Sequence, residues 1–459
     1  MEELKTFQLN DQSKNILKSI LKDGRNVFIT GPGGCGKSYL LKAIKQIATL
    51  LYKKKCYLTG TSGVASYNIG GMTIHKFSGI GICNDPEMAN TIANKIIKKG
   101  GDCFKRWKEC QILIIDEISM MGMLTFDLLN DVAKIVKNNP QPFGGLQLVV
   151  SGDFFQLPPI KDDMVFKGSL WFELDFKTHC MMTPYRYKDQ DYFQLLLRIR
   201  KGLQTPNDIN LLKKRLKSKI EIKKVIKEST IKPTILFSLK KDVNDMNAVE
   251  LEKLTTEQID YKAEDMFKDK ILDVDHKKYT EILNNIAPKK VSFKTGAQVM
   301  LTANIDVDKG LVNGSRGVII ECKNASIRVQ FIDGSIVTIN KHLHEYEDEE
   351  SICGRKQIPL ILSWSLSIHK IQGCTLDCCV IDLGESIFVE GMAYVALSRV
   401  RHLNGLYLSD FDASKITCDE EVKKYYRRYD LIKVYLKYYV CKRKKDSDII
   451  GNTIVEYLA

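Results

Sequence analysis

The segment "GPGGCGKS" at residues 31–38 constrains the fold of this chain more than any other sequence feature. It follows the apolar run "NVFIT" (26–30) and precedes "KSYLLKAIKQIATLLY" (37–52), whose apolar residues have helical spacing. The pattern G-x-x-x-x-G-K-S between a strand and a helix predicts a loop whose backbone N–H groups surround phosphate oxygens. Lys37 can neutralise the outer phosphates, and the Ser38 hydroxyl can ligate Mg²⁺. The residues predicted to bind a nucleoside triphosphate are Gly31, Pro32, Gly33, Gly34, Cys35, Gly36, Lys37 and Ser38.

Short apolar runs alternate with helical patterns over the first 180 residues. Besides "NVFIT", the runs "CYLTG" (56–60), "QILIIDE" (111–117) and "LQLVVSG" (146–152) are continuous and β-rich, as expected of parallel strands buried on both faces. They predict a doubly wound α/β domain over residues 1–180. The segment 81–110 interrupts the alternation and predicts a small helical insertion.

A second α/β domain is predicted in two pieces, residues 181–295 and 356–420. The run "TILFSLKKDVNDMNAVEL" (234–251) predicts a strand followed by a helix. The runs "IPLILSWSLSIHK" (358–370) and "CCVIDLG" (378–384) predict further strands of the same sheet.

Residues 296–355, between these two pieces, have a different pattern. Short strands are separated by Asn-Gly and Asp-Gly pairs, which is typical of hairpins in a small β-barrel. After the second domain, residues 421–459 predict a basic helical tail. Its "CKRKK" run fits a solvated surface better than a nucleic-acid contact or an import signal.

The charge balance favours an anionic partner. Lys and Arg number 69 against 56 Asp and Glu, a formal net charge of +13, which suits nucleic acid but also fits a surface that is merely rich in lysine. No run of about 18 apolar residues occurs, so we expect no membrane span, no signal peptide and action inside the cell. The 13 cysteines show neither C-x-x-C pairs nor Cys/His ligand spacing, which predicts reduced thiols.

Two carboxylates end the predicted strand in "ILIIDEIS" (112–119). An Asp at this position, Asp116, can hold Mg²⁺, and the adjacent Glu117 can orient or deprotonate an attacking water. A second carboxylate is useful for hydrolysis and dispensable for binding. The pair therefore favours an ATPase over a kinase.

The stretch "VVSGDFFQLPP" (149–159) supplies another strand end at the sheet edge where ligands of open α/β sheets bind. Its prolines cannot continue a strand and hold the turn rigid. We expect Gln156 to contact the terminal phosphate, and Phe154 or Phe155 to face a nucleobase or the second domain. Phe154 is the candidate DNA contact, although a Phe pair is also common in a core.

Two arginines in polar, turn-like settings are candidates for completing the site from the second domain. They are Arg186 in "TPYRYKDQDYF" and Arg399 in "YVALSRVR". Arginine fingers stabilise the charge that develops during phosphoryl transfer. Each residue, taken alone, also fits an ordinary surface position.

Two segments contain donors suited to phosphodiester oxygens, "TSGVASYNIGGMTIHKF" (61–77) and "SWSLSIHKIQGCTLD" (363–377). Gly373 permits close backbone approach and is grouped with the nucleotide-binding residues, while His75 alone also fits a structural histidine. The candidate DNA contacts are Ser62, Gly63, Asn68, His75, Lys76, His369, Lys370, Gln372 and Thr375.

These segments, in this order, resemble the petite-integration-frequency (PIF) helicase family of superfamily 1, which is related to RecD. The resemblance runs from about residue 8 to 412. It is carried by "LNDQSKNIL", "FITGPGGCGKS", "GTSGVASYNIGGMTIHKFSGI", "IIDEISMM", "PFGGLQLVVSGDFFQLPPI", "PYRYKDQDYFQLLLRIRKG", "GAQVMLTANIDVDKGLVNGSRGVI", "SWSLSIHKIQGCTLD" and "YVALSRVRHLNGLYL".

The resemblance implies an α/β fold of two RecA-like P-loop domains with parallel sheets and ATP between them. It also implies a wedge insertion near 81–110 and an SH3-like β-barrel near 296–355. Gln12 would recognise adenine, and the phosphate-loop, carboxylate, amide and arginine residues named above would act with ATP and Mg²⁺. DNA would touch the segments 61–76 and 369–375.

The implied activity is ATP-dependent 5′-to-3′ movement on single-stranded DNA with unwinding of tailed duplex, in replication, repair, recombination or telomere maintenance. We expect a monomer that binds no membrane. The Lys-, Asn- and Ile-rich composition favours an AT-rich genome such as that of a large DNA virus or a mobile element, with action in a nuclear or viral replication compartment. Two alternatives stay open: a single-strand translocase that does not unwind, and a superfamily 1 RNA helicase.

Overall fold

The computed structural model describes residues 7–428. Within that range it leaves out residues 82, 219–220, 223–231, 268–278, 282, 285, 304, 307–308, 310, 348–351 and 377. Two parallel sheets with helices packed around them are joined to a group of antiparallel strands. The predicted fold class is confirmed.

The first sheet has six parallel strands in the order β3-β2-β4-β5-β1-β6. Every residue of β1 and β4 is buried, because helices cover both faces of the sheet. The predicted apolar runs correspond to β1, β2, β4 and β5. The strands are β1 (Val27–Thr30), β2 (Cys56–Gly60), β3 (Met72–Thr73), β4 (Ile112–Asp116), β5 (Gln147–Gly152) and β6 (Lys177–Cys180).

Eight helices accompany this sheet among the residues described. They are α1 (Asp11–Leu21), α2 (Lys37–Leu50), α3 (Gly63–Asn68), α4 (Ile74–Ser78), α5 (Ala89–Lys99), α6 (Asp102–Glu109), α7 (Met123–Lys137) and α8 (Ser169–Glu173). The side chain of Asn10 accepts a hydrogen bond from the Ser13 N–H and so caps α1. In the described part of the chain, each helix is too short or too polar to span a bilayer.

The predicted insertion at 81–110 is helical. It contains α5, α6 and the 3₁₀ turn Pro86–Met88. Trp107 on α6 is fully buried, and its Nε1–H donates to the Ser78 carbonyl at 3.0 Å. The insertion is therefore anchored on the end of α4.

The second sheet has four parallel strands in the order β18-β7-β19-β20. Its strands are β7 (Thr234–Phe237), β18 (Ser365–Ser367), β19 (Cys379–Leu383) and β20 (Leu406–Phe411). The helices around it are α9 (Gln190–Arg200), α10 (Pro206–Lys213), α11 (Lys240–Glu252) and α12 (Met392–Leu397). We call the first sheet with its helices the first lobe, and the second sheet with its helices the second lobe.

Antiparallel strands form three groups: β14-β13-β12-β11-β17, β15-β16-β9 and β10-β8. These strands are β8 (Gln258–Lys262), β9 (Glu264–Phe267), β10 (Lys290–Lys294), β11 (Gln298–Leu301), β12 (Arg316–Cys322), β13 (Ser326–Phe331), β14 (Ile336–Asn340), β15 (His342–Glu347), β16 (Ile352–Gln357) and β17 (Leu360–Leu362). Together they correspond to the predicted SH3-like barrel.

The barrel strands extend beyond the predicted boundaries 296–355 on both sides. Strands β8 and β9 are rich in charged residues and largely exposed, so their sequences lack the apolar signal of a strand. The run 358–370, predicted as one strand, is two. Strand β17 pairs with β11 and β18 pairs with β7, and the Gln298 side chain bonds the Ser363 carbonyl between them.

The described part of the predicted C-terminal tail is a packed helix at residues 420–428. Tyr425 is 3% exposed, its ring stacks on Phe166 at 4.5 Å, and its hydroxyl accepts from Trp171 Nε1 at 3.0 Å. The segment follows the second sheet along the chain but packs on the first lobe. It therefore joins the two lobes, and the predicted basic tail is helical and packed in its described part. The remainder of 421–459 lies outside the described residues.

Candidate active site

The segment 31–38 forms a loop between β1 and α2, as predicted. Gly31, Gly34 and Gly36 have φ angles of 136°, 81° and 84°, which favour glycine. A Cβ on Gly31 would lie 2.1 Å from the Met181 carbonyl oxygen, so a larger residue cannot fit there. The loop therefore turns tightly, and its backbone N–H groups are followed directly by those at the N-terminus of α2.

Lys37 and Ser38 begin α2 and face polar partners. The Lys37 Nζ donates to the carbonyls of Gly31 at 2.7 Å and Pro32 at 3.1 Å. The Ser38 Oγ donates to Asp116 Oδ2 at 2.9 Å, so the start of α2 and the end of β4 meet at this edge of the sheet. A hydroxyl and a carboxylate this close are the donor set that Mg²⁺ takes in phosphate-loop sites.

Glu117 has a strained backbone and a buried carboxylate. Its φ of 55° and ψ of 44° lie in the left-handed region, which costs a non-glycine residue about 1–3 kcal/mol. Its Oε2 has no hydrogen-bond partner among the described residues. Burial and then the neighbouring Asp116 charge raise the pKa of Glu117 to about 7. Such a carboxylate can accept a proton from water near neutral pH.

The carboxylate of the "GDFFQLPP" stretch lies outside the cleft. Asp153 is fully buried and accepts from Arg200 on α9, with its Oδ1 2.7 Å from Nη2 and its Oδ2 2.9 Å from Nε. Because both side chains are buried, removal of either partner would leave an uncompensated charge. This ion pair fixes the strand end of the first lobe to the second lobe.

The prediction that Phe154 contacts DNA is wrong. Its ring is 1% exposed and packs against Phe28, Phe166 and Trp171, as the large apolar surface of a ring favours. Phe155 is also buried, and the Arg200 guanidinium lies 4.3 Å from its ring centre. The sequence predicts that one of these rings faces a nucleobase or the second domain. Phe155 faces the second lobe, and neither ring faces a nucleobase.

The two candidate arginines lie together at the phosphate loop. A Cβ on Gly33 would be 3.6 Å from Arg186 Nη1 and 3.7 Å from Arg399 Nη2. Arg399 is 1% exposed, and burial and then the Arg186 charge lower its pKa. Neither arginine forms an ion pair with a described carboxylate. A buried cation, Arg399, and a half-buried one, Arg186, therefore face the phosphate loop and are placed to bind an anion between them.

Arg399 also reaches the second candidate DNA segment. Its Nη1 donates to the carbonyls of Ile371 and Cys374, each at 3.3 Å. Arg186 Nη1 donates to the Ser398 carbonyl at 3.1 Å. The arginines are thus tied both to one another through the end of α12 and to the segment 369–375.

Gln12 on α1 lies beside the paired strand ends Thr30 and Cys180, just before the loop. Its Nε2 donates to the Cys180 carbonyl at 2.7 Å, which leaves the amide oxygen available for a base. Tyr185, 60% exposed, lies beside the loop, since a Cβ on Gly36 would be 3.1 Å from its ring. Its hydroxyl accepts from Asn10 Nδ2 at 3.0 Å. The sequence marks Tyr185 only by its position before Arg186.

A cleft of about 1110 Å³ runs between the lobes and beside the barrel. The predicted nucleotide-site residues that line it are Gly33, Gly34, Gly36, Lys37, Ser38, Asp116, Glu117, Gln156, Arg186 and Arg399. The predicted DNA contacts that line it are Ser62, Asn68, His369, Lys370, Gln372 and Thr375, and Gly373, which was predicted with the nucleotide-binding residues, lies among them. The structure therefore brings most of the predicted site into one continuous space.

Two observations inside this cleft concern the DNA side. Both polar atoms of the Gln372 side chain are buried and have no hydrogen-bond partner among the described residues. A Cβ on Gly373 would lie 3.3 Å from Asn68 Nδ2, so the two candidate segments, one from each lobe, meet there. An unpartnered buried amide facing a cleft is a candidate ligand contact.

The remaining predicted residues lie outside the lining. These are Gln12, Gly31, Pro32, Cys35, Gly63, His75, Lys76 and Phe154. Burial lowers the pKa of His75 on α4, as expected for a structural histidine. Sequence reasoning missed the barrel residues 311–316 and 331–333, which do line the cleft. A Cβ on Gly314 would lie 3.3 Å from Cys374 Sγ, so this part of the barrel rests on the 369–375 segment.

A phosphate loop on one parallel-sheet lobe, faced by arginines from another, defines the class of P-loop NTPases with two RecA-like lobes. The sequence model of the PIF1-like helicase family matches residues 8–172, and that of the DNA helicase Pif1 2B domain matches residues 282–322. The chain belongs to the PIF1-like helicase family.

Individual relatives agree with this assignment. ATP-dependent DNA helicase PIF1 of Xenopus laevis is 37% identical over 436 residues, covering 92% of this chain and 65% of its own length. The crystal structure of Pif1 helicase from Candida albicans has a TM-score of 0.78 and 32% identity, covering 92% of this chain and all of that one. Bacteroides Pif1 bound to ssDNA has a TM-score of 0.68 and 26% identity, covering 92% and 97%. The chain spans just under two thirds of the length of the vertebrate PIF1 helicases that it matches.

Proposed function

We propose that this chain is an ATP-dependent DNA helicase that moves 5′ to 3′ along single-stranded DNA and unwinds tailed duplex. One observation carries the proposal. Arg399 faces the phosphate loop at Gly33 and also bonds the carbonyls of Ile371 and Cys374 in the DNA-side segment. A change at the terminal phosphate therefore acts directly on residues that face the DNA side of the cleft.

The nucleotide-side residues take the roles that phosphoryl transfer requires. Lys37 neutralises charge on the outer phosphates, and Gln156 contacts the terminal phosphate. Glu117, whose pKa is raised to about 7, accepts a proton from the attacking water. Arg186 and Arg399 stabilise the charge that develops in the transition state.

The metal and base contacts come from three further residues. Ser38 and Asp116, which lie 2.9 Å apart, would hold Mg²⁺, and the ion supplies charge neutralisation at the β- and γ-phosphate oxygens. Gln12 would recognise adenine through its amide oxygen. Removal of divalent cations by a chelator would then stop hydrolysis.

On the DNA side, the sugar–phosphate backbone would lie along the residues that line the cleft. Gln372 supplies an unpartnered amide, and Ser62, Asn68 and Thr375 supply further hydrogen-bonding groups. His369 and Lys370 add a ring and a cation. Gly63, His75 and Lys76 would touch the strand only as it leaves the lined space.

We propose that each lobe moves as a unit. We propose that the first extends over residues 1–180 with its wedge at 81–110, and that the second is interrupted by a barrel wider than 296–355. ATP draws the arginines of the second lobe to the loop, and hydrolysis releases them. Action on chromosomal, viral or mobile DNA in replication, repair, recombination or telomere maintenance fits such a motor. So does a monomer in a nuclear or viral replication compartment.

The test is steady-state ATP hydrolysis with single-stranded DNA, with RNA of matched sequence, and without nucleic acid. We expect DNA to stimulate turnover more strongly than RNA does, because the nucleic acid in the solved structure of Bacteroides Pif1 is ssDNA. Stronger stimulation by RNA would favour the RNA helicase alternative. Equal rates in all three conditions would contradict the proposal.

A further inference from the structure

Tyr394 on α12 is a buried residue that the roles above do not use. Its side chain is 2% exposed. Its hydroxyl accepts a hydrogen bond from the backbone N–H of Gly33 at 3.0 Å. Because α12 belongs to the second lobe and Gly33 to the phosphate loop of the first, this bond is a direct polar contact between the two lobes, at a loop residue that lines the cleft.

Gly33 is also the loop residue on which the two arginines converge. The position of its absent side chain is 3.6 Å from Arg186 Nη1 and 3.7 Å from Arg399 Nη2. A terminal phosphate belongs where guanidinium groups meet phosphate-loop N–H groups. The Tyr394 hydroxyl therefore lies beside the loop residue where we expect the terminal phosphate, the group that a triphosphate has and a diphosphate lacks.

The hydroxyl of Tyr394 has a proton to donate. A phenol offers one donor and accepts through its lone pairs. Among the described residues, the bond from Gly33 engages it as an acceptor, and no bond uses it as a donor. Burial, and then the Asp153 charge, raises the pKa of Tyr394 well above its ordinary value, so the phenol stays protonated. A buried donor without an acceptor is costly, and a phosphoryl oxygen would satisfy it.

The position of Tyr394 is held at both ends of α12. At the start, Gly391 has a φ of 77°, and a Cβ there would lie 2.6 Å from the Phe155 carbonyl oxygen, so the helix contacts the first lobe backbone to backbone. At the end, the Leu397 carbonyl accepts from Tyr192 Oη at 2.7 Å. The hydroxyl therefore cannot move far from Gly33 without displacing the whole helix.

We infer that Tyr394 is a specificity-determining residue, whose hydroxyl donates to a γ-phosphoryl oxygen and so makes the second lobe bind ATP in preference to ADP. The inference rests on the proposed function only for the identity of the nucleotide. The Tyr394 hydroxyl adds a neutral donor beside the two arginines. It gives the second lobe a contact that is lost when the terminal phosphate leaves.

The test compares Tyr394→Phe with the wild-type chain in binding of ADP and of the non-hydrolysable ATP analogue AMP-PNP, by displacement of a fluorescent nucleotide. The substitution removes one oxygen and keeps the ring. A hydrogen bond to a charged group corresponds to roughly a 10- to 100-fold change in an equilibrium constant. We expect AMP-PNP affinity to fall by about that factor, while ADP affinity changes by less than about twofold.

Tyr261→Phe is the matched control. Tyr261 is also 2% exposed, but its hydroxyl bonds the Lys323 carbonyl in the barrel, away from the cleft. It should change neither affinity. Equal losses for ADP and AMP-PNP in Tyr394→Phe, or no loss for either, would overturn the inference and leave the proposed function standing. Selective loss of AMP-PNP binding in a chain that DNA does not stimulate would support the inference while contradicting the proposed function.

Discussion

Lys37→Ala is expected to abolish DNA-stimulated ATP hydrolysis, with a fall in kcat of at least about 100- to 1000-fold. Lys37 is nearly buried at the start of α2, and its Nζ lies on the loop carbonyls of Gly31 and Pro32. Alanine removes the charge that faces the outer phosphates without changing the backbone of the loop. A phosphate-release assay with saturating single-stranded DNA measures the effect.

Lys45→Ala is the control for this substitution. Lys45 lies on the same helix but does not line the cleft. We expect its turnover to stay within about twofold of wild type, as for a surface substitution away from the site. Full activity of Lys37→Ala would show that the phosphate loop is not the hydrolytic site.

Arg399→Ala is expected to lower kcat by about 1000-fold or more, the range for loss of an arginine finger, while nucleotide affinity stays within a few-fold. The Arg399 guanidinium meets the loop at Gly33, where charge develops during transfer of the terminal phosphate. Binding of the diphosphate portion uses the loop itself and does not depend on this side chain. Fluorescent-nucleotide binding measured beside phosphate release separates the two effects.

Arg399→Lys refines this prediction. Lysine keeps the charge but lacks the planar fork that bonds Val395, Ile371 and Cys374 together. We expect hydrolysis to recover in part and DNA stimulation to remain weak. Parallel losses of affinity and turnover in Arg399→Ala would instead indicate that the residue only supports the fold.

Local motifs allowed much of this site to be predicted from the sequence. The phosphate loop 31–38 and the pair Asp116–Glu117 are contiguous, and their chemistry depends on spacing within a few residues. Both arginines were found through their polar settings and the family resemblance, and the structure brings them within reach of Gly33. The parallel strands could be predicted equally well, because their apolar runs are continuous.

The contacts that could not be predicted depend on residues far apart in the chain. Asp153 follows a strand end, as a site carboxylate would. Its partner Arg200 lies on the second lobe, and the ion pair gives Asp153 a structural role. Phe154 became a core residue because the segment around Tyr425, which follows the second sheet, packs against it. Nothing in the local sequence of either phenylalanine specifies that partner.

The barrel was underestimated for a different reason. Strands β8 and β9 are short, polar and largely exposed, so the period-2 apolar signal is absent. Tyr394 was missed because it occurs in a fully buried run, "MAYVAL", in which a tyrosine is indistinguishable from a packing residue. Only the distance between its hydroxyl and the Gly33 N–H indicates a role.

ATP-dependent strand displacement on duplexes that carry a single-stranded tail at one end shows whether this chain is a 5′-to-3′ DNA helicase. Three substrates are compared, with a 5′ tail, a 3′ tail and blunt ends, and Lys37→Ala serves as the inactive reference. We expect displacement of the 5′-tailed DNA duplex alone, and none without ATP. Displacement of the 3′-tailed duplex, or hydrolysis stimulated by DNA with no displacement of any substrate, would contradict this expectation.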